Sequence, residues 1–207
     1  MCHALLSDST LWDLLFRLDQ DLAAKVRDLG CPCGGVLHSA RYPRKPRGGL
    51  ADLGPEYSCR LSLCCAREGC RKRATPPSVR FLGRRVYLGA VVVLASALRE
   101  GVTAKRAAHL HELLGVSLRT LRRWRVWWRD TFVASSFWKS ARGRFLPPVE
   151  VSALPASLLE RFSGDDDRSR LIQALAFVCP LTTNSAGSAM GAQDPQKMHL
   201  GPGSCSS

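Results

Sequence analysis

Apolar residues recur at helical spacing near the start of the chain, at Leu11, Leu14, Leu15, Leu18, Leu22, Val26 and Leu29. Steps of three and four bring them to one face, so the pattern predicts an amphipathic helix that Gly30 stops. Ser9 or Thr10 is the expected N-cap, Asp13 falls in the first turn, and Trp12 and Phe16 widen the stripe. Such a helix needs a partner surface.

The pattern then changes period. Between Gly30 and Arg73 the chain is rich in Cys, Gly, Pro and Arg, with short stretches that read as strands. Val36 to His38 is the first, and Tyr57 to Leu63 alternates at period two like a half-buried strand. Ser78 to Leu82, after Pro76 and Pro77, is the third. Helical spacing returns from Arg85 to Arg99, ending at Gly101. Thr103 caps a helix through Leu114, Gly115 and Val116 form a turn, and Ser117 caps a third helix running to about Phe132. Phe145 to Pro148 is a break, and Ala156 to Phe162 and Arg168 to Val178 predict short helices. From Thr182 onward Gly, Ser, Ala and Pro predict a disordered tail.

The expected fold is therefore mainly α with a small zinc-ribbon β module. Its parts are an N-terminal helix over 1–29, a zinc ribbon over 30–83 and a helix-turn-helix domain over 84–134. Short helices over 135–180 and the tail over 181–207 complete it.

The ribbon reading rests on cysteines. Cys31 and Cys33 flank Pro32 and precede Gly34 and Gly35, while Cys65 and Cys70 are separated by four residues. Four thiolates converging on one tetrahedral zinc can hold a segment too short to bury a core of its own. Both spacings depart from the usual two intervening residues. His38, Cys59 and Cys64 are competing ligands; if the strand alternates, Cys59, Leu61 and Leu63 share one face and Cys64 takes the other. A catalytic zinc would keep an open position and use His or a carboxylate, so a structural zinc is expected. Thiols without metal are the alternative.

Charge adds a partner. The net charge is +13 and the isoelectric point near 9.9, a balance that favours polyanions. The alternative is a basic protein whose charge only keeps it soluble. The cations are clustered, however: Arg41, Arg44, Lys45 and Arg47 lie between the cysteine pairs, and Arg71, Lys72 and Arg73 follow the second. No signal peptide is visible, and the apolar run from Leu88 to Leu98 falls short of the about 20 residues a bilayer needs. The expected location is the cytoplasm, associated with the nucleoid, with no membrane partner. Nine cysteines then serve metal or packing.

In the helix-turn-helix, Leu110, Leu114, Val116, Leu121 and Trp124 take the core positions, and His111 stands where close packing favours Ala or Gly. Leu118, Leu121, Trp124, Trp128 and Phe132 share one face of the third helix. Arg119, Thr120 and Arg123 point away from it, placed to read bases, while Arg122, Arg125 and Arg129 suit phosphates. Trp127 lies off the core stripe, free for the sugar-phosphate backbone or a partner. Asp165, Asp166 and Asp167 invite a two-metal nuclease reading, but acids before Arg168 fit a helix N-terminus. His109 and His111 are too close in sequence to share a helix face as ligands.

The two cysteine pairs, the passage from Cys70 to Tyr87 and the following helix-turn-helix resemble the DNA-binding region of bacterial insertion-sequence transposases. The resemblance covers roughly residues 30 to 132. It implies a zinc ribbon and a helix-turn-helix that together bind the element's terminal DNA. The ribonuclease-H-like catalytic domain of such transposases needs more than the seventy or so residues after the helix-turn-helix, so no enzyme activity is expected. The reading is a zinc-stabilised, sequence-specific DNA-binding protein of a mobile element, an accessory protein or truncated transposase. Its expected partners are double-stranded DNA, a transposase or recombinase, and a second copy of the chain. The rivals are a small metal-dependent nuclease or recombinase using Asp165 to Asp167, and an RNA-binding ribbon protein.

Overall fold

A computed structural model describes residues 5–43, 53–82, 87–97, 108, 111–112 and 115–183. It is mainly helical, with a small three-stranded sheet beside a cysteine cluster.

Helix α1 spans Ser9–Leu29 and stops at Gly30, whose φ of 69° is open to glycine without a Cβ penalty. Its N-cap is Asp8 rather than Ser9 or Thr10: the Asp8 carboxylate accepts from the Thr10 amide at 2.9 Å and the Thr10 hydroxyl at 2.7 Å. A carboxylate also complements the helix dipole, which a hydroxyl does not. The buried face runs Leu11, Trp12, Leu15, Asp19 and Ala23. Leu29, assigned to the stripe by spacing, is 85% exposed, whereas Val26 one turn earlier packs on the small core.

Strands β1 (Leu37–Ser39), β4 (Leu63–Cys65) and β5 (Arg73–Ala74) form an antiparallel sheet in the order β1-β4-β5. Leu37 faces Cys65, and Leu63 faces both Ser39 and Ala74. Strands β2 (Tyr42–Pro43) and β3 (Cys59–Arg60) pair separately, as do β6 (Phe81–Leu82) and β7 (Tyr87–Leu88).

Two expected strands change here. Tyr57 to Leu63 is not continuous: Pro55–Ser58 is a 3-10 turn, and β3 and β4 join different sheets. Arg60 turns inward to donate to the Pro76 carbonyl at 2.8 Å, which breaks the alternation. Ser78 to Leu82 is strand only at Phe81–Leu82 and lies outside the three-stranded sheet, whose third strand is β5. The Ser78 and Val79 amides are taken by the Thr182 hydroxyl and the Asp19 carboxylate, so they join no ladder.

Helix α2 (Gly89–Ser96) starts later than Arg85, because Tyr87 and Leu88 belong to β7. Val91, Val92 and Val93 are all buried, as an all-round apolar helix must be. It packs on helix α3 (Leu118–Val126) and on helix α6 (Asp167–Val178). The helix expected over Thr103 to Leu114 lies mostly outside the described residues, with Leu110, Leu114 and His109; Ala108, His111 and Glu112 are helical. His111 is exposed, and its carbonyl accepts from the Gly115 amide at 2.8 Å, Gly115 having φ 62°.

Ser117 caps α3 as expected, accepting from the Thr120 amide. The helix continues as a π-helical turn over Trp127–Phe132. That turn corrects the expectation for Trp127. With i→i+5 bonding, Trp127, Trp128 and Phe132 all point inward, and Trp127 is buried, its ring 4.9 Å from that of Trp128.

Helix α4 (Ser136–Ala141), which the pattern missed, follows at once, then a 3-10 turn at Arg142–Arg144. Helix α5 (Ala156–Leu159) is shorter than expected, α6 begins one residue before Arg168, and a 3-10 turn at Cys179–Thr182 closes the described chain. The tail expected from 181 lies outside the described residues beyond Thr183.

One large core joins the first half of α1, β6, β7 and the helices. A second, small core belongs to the sheet: Cys31, Leu37, Leu63 and Cys65, with Val26, Cys33, Cys70 and Ala74 packed against it. Helix α1 reaches both.

A four-cysteine candidate metal centre and its basic surroundings

The small sheet carries its cysteines on two turns. Cys31 and Cys33 sit on the turn after α1, where the Cys31 amide donates to the Gly35 carbonyl and the Gly34 amide to the Cys31 carbonyl. Gly34 has φ 80°. Cys65 ends β4, and the chain turns back through Gly69, with φ 81°, to Cys70. The Cys70 amide closes that turn on the Arg67 carbonyl at 3.1 Å.

These turns bring the four sulfurs within 4.8 Å of one another. Cys31 and Cys70 are 3.8 Å apart and Cys33 and Cys65 are 3.5 Å apart, sulfur to sulfur. A tetrahedron with metal–sulfur bonds of about 2.3 Å has sulfur–sulfur edges of about 3.8 Å, so the constellation fits a four-thiolate metal site. His38, Cys59 and Cys64 are not in it. His38 is exposed on β1 opposite Cys64, and neighbouring residues of a strand point to opposite faces, which separates Cys64 from Cys65.

The backbone is arranged for thiolates. The Cys65 sulfur accepts from the Arg67 amide at 3.4 Å, and the Cys33 and Gly35 amides favour the thiolates of Cys31 and Cys33. The Arg67 guanidinium also donates to the Cys33 carbonyl at 2.5 Å, tying the two turns together. The Gly35 amide pulls the Cys33 thiol down to about 6, whereas burial pushes Cys65 up to about 12.

Gly35 is fixed by the sulfurs themselves. A Cβ there would stand 2.6 Å from the Cys65 sulfur and 3.0 Å from the Arg67 Cβ. We expect Gly35→Ala to lower metal affinity by about 10- to 100-fold, the range for perturbed outer-shell groups. Competition with a chromogenic chelator measures this; an unchanged affinity would show that the turn does not shape the site.

Cations stand close to the cysteines in sequence and on α3. Arg41, Arg71, Lys72 and Arg73 are exposed, whereas Arg44, Lys45 and Arg47 lie outside the described residues. On α3, Arg119, Arg122 and Arg123 are exposed and Arg125 is half-buried. Thr120 is half-buried and engaged at the cap, its hydroxyl 3.1 Å from that of Ser117. Leu121, Trp124, Trp128 and Phe132 are buried on the other side, as the spacing predicts. Asp166 is the N-cap of α6: its carboxylate accepts from the Ser169 amide at 2.7 Å, which holds it below the ordinary carboxylate range. Asp167 pairs with Arg170 at 3.5 Å. Among the described residues the four cysteines are the group of metal-ligating side chains that converges.

Sequence spacing missed two groups that hold this site in place. Arg67 is one of four residues between Cys65 and Cys70, and nothing in its spacing marks it out. Asp19 and Arg80 form a buried ion pair at 2.8 Å between α1 and the segment that leads into β6. An acid on the buried row Leu11, Leu15, Asp19, Ala23 was the available signal for the latter.

Among the described residues no helix is long and apolar enough to cross a membrane. No family model, no curated protein and no solved structure matches this chain.

Proposed function

We propose that this chain is a zinc-stabilised, sequence-specific DNA-binding protein of mobile-element type. The observation that carries the reading is the polarity of the helix from Leu118 to Phe132. One side buries Leu121, Trp124, Trp128 and Phe132, and the other exposes Arg119, Arg122, Arg123 and Arg129 with Asp130 as its one acid. A solvated helix face ordinarily mixes both signs; a run of arginines behind a Ser117 cap suits a duplex groove. In this reading Arg119 and Arg123 meet guanine edges and Arg122, Arg125 and Arg129 meet phosphates. Thr120 supports the cap rather than reading bases.

Zinc is the proposed metal, because four soft thiolates in a tetrahedron match its preference and leave no open position for catalysis. The ribbon is then a structural clip that offers Arg71, Lys72 and Arg73 to phosphates, and Arg44, Lys45 and Arg47, between the cysteine pairs in sequence, are assigned the same role. The resemblance to insertion-sequence transposases supplies the biological setting, with a transposase or recombinase as protein partner and location on the nucleoid.

Binding of the zinc-loaded chain to duplexes selected from a random pool tests the assignment. Arg123→Ala is expected to weaken the preferred duplex by about 1–3 kcal/mol while leaving random duplex binding nearly unchanged. Arg71→Ala is expected to weaken all sequences alike and to flatten the salt slope by about one. Equal losses on preferred and random duplexes for Arg123→Ala would sink the recognition-helix assignment.

A further inference from the structure

The proposed recognition helix and the cysteine module do not account for all the positive charge. Lys139 on α4 and Arg142 and Arg144 on the 3-10 turn that follows are exposed, and Lys139 and Arg142 are three residues apart on one helical edge. None of the three holds an ion pair among the described residues. No acid occurs between Asp130 and Glu150, and the Glu150 carboxylate is committed to the Ser152 amide and hydroxyl at 3.1 and 2.8 Å. Gly143, between the two arginines, faces open space.

Leu146 completes the corner. It is 88% exposed, the most exposed large apolar side chain described, and Pro147 and Pro148 beside it are exposed as well. The corner is nonetheless anchored on both sides. Phe145 packs against Trp138, Phe162 and Phe177, with ring centroids 6.3, 5.8 and 5.2 Å away, and Val149 is buried. A leucine held out of the core on a fixed base has its ordering cost met before any partner arrives.

We propose that this corner is a second DNA contact that enters the minor groove, with Arg142 and Arg144 lying along the groove and Leu146 wedged at a base step. Arginine is drawn to the negative potential of a narrow minor groove, and apolar wedges of Leu or Pro beside such cations partly unstack a step and kink the duplex. A contact made to phosphates alone would have no use for Leu146. The proposal rests on the DNA-binding reading above and adds to it a bend at a place separate from α3.

The test uses the full zinc-loaded chain and the selected duplex labelled at both ends. The wild-type chain is expected to shorten the end-to-end distance measured by energy transfer. The double variant R142A/R144A is expected to make the salt slope of binding shallower by about two and to abolish the shortening. Leu146→Ser is expected to leave the salt slope unchanged and to remove most of the bend. Circular dichroism and metal content matching wild type establish that both variants are folded. Wild-type slope and bend in both variants would overturn the minor-groove corner while leaving the α3 assignment standing. Absence of duplex binding by the wild-type chain would overturn both.

Discussion

Cys65→Ser is expected to leave the chain without stoichiometric metal and to melt the small sheet while the helical body stays folded. Cys65 is fully buried, lies 3.5 Å from Cys33, and is both a candidate ligand and a core residue. The core of the sheet consists of Cys31, Leu37, Leu63 and Cys65, so two of its four buried residues are candidate ligands. Burying a leucine contributes about 1.5–3 kcal/mol, whereas fixing each backbone residue costs about 1–2 kcal/mol. Two leucines cannot order the turns and strands around the cysteines, since Tyr57 in the intervening stretch is held by the large core instead. Structural zinc in small finger peptides supplies about 10–16 kcal/mol of apparent binding energy, which is of the size required.

The readout separates the two cores. All five tryptophans lie in the large one, so their fluorescence should stay as in wild type while the metal content falls to background and protease cuts appear between Cys31 and Ala74. Chelation of the wild-type chain should give the same pattern. Joint loss of tryptophan signal and metal in one step would show a single cooperative unit instead. Metal affinity should also rise with pH. At pH 7 Cys33, at about 6, is already a thiolate, but Cys65, at about 12, still carries its proton. Binding must release it, so acid competes with the metal and alkali helps it.

The convergence of Cys31, Cys33, Cys65 and Cys70 was legible because closely spaced thiols in short turns tend to cluster. Two cysteine pairs flanking glycine turns leave few ways to converge, and the irregular intervals are absorbed by Gly34 and Gly69 at positive φ. Buried faces of long helices were legible too, since Leu121, Trp124, Trp128 and Phe132 follow helical period. What was not legible depends on contacts distant in sequence. Strand Tyr57 to Leu63 was broken by Arg60, whose partners are Pro76 and Thr182. Ser78 and Val79 left the ladder for Thr182 and Asp19. Trp127 turned inward because of one π-helical turn, which a fixed period of 3.6 cannot foresee. At Leu29 period alone overreached, since a stripe says nothing of where its partner surface ends.

Removing either member of the Asp19–Arg80 pair is expected to destabilise the chain by about 3–5 kcal/mol, the cost of leaving a buried charge uncompensated. Both side chains are almost fully buried. The Asp19 carboxylate accepts from Arg80 Nε at 2.8 Å, the Ser78 hydroxyl at 2.6 Å and the Val79 amide at 2.7 Å. Arg80 donates further to the Glu56 and Cys59 carbonyls and stacks over Phe16, Phe81 and Tyr57. The pair therefore joins α1 to the segments on either side of the sheet. Asp19→Leu with Arg80→Met removes both charges, so the double variant should cost less than the sum of the single ones. It should not return to wild type, because the Val79 amide keeps no acceptor, a loss of about 1–3 kcal/mol. Urea unfolding of the two single variants and the double completes the cycle, and additive costs would refute the coupling. Asp19 lies about two turns before Val26, where α1 meets the cysteine module. Weakening the pair should therefore also broaden the position of that module relative to the helical body, and the single variants should lose duplex affinity at temperatures where they remain folded.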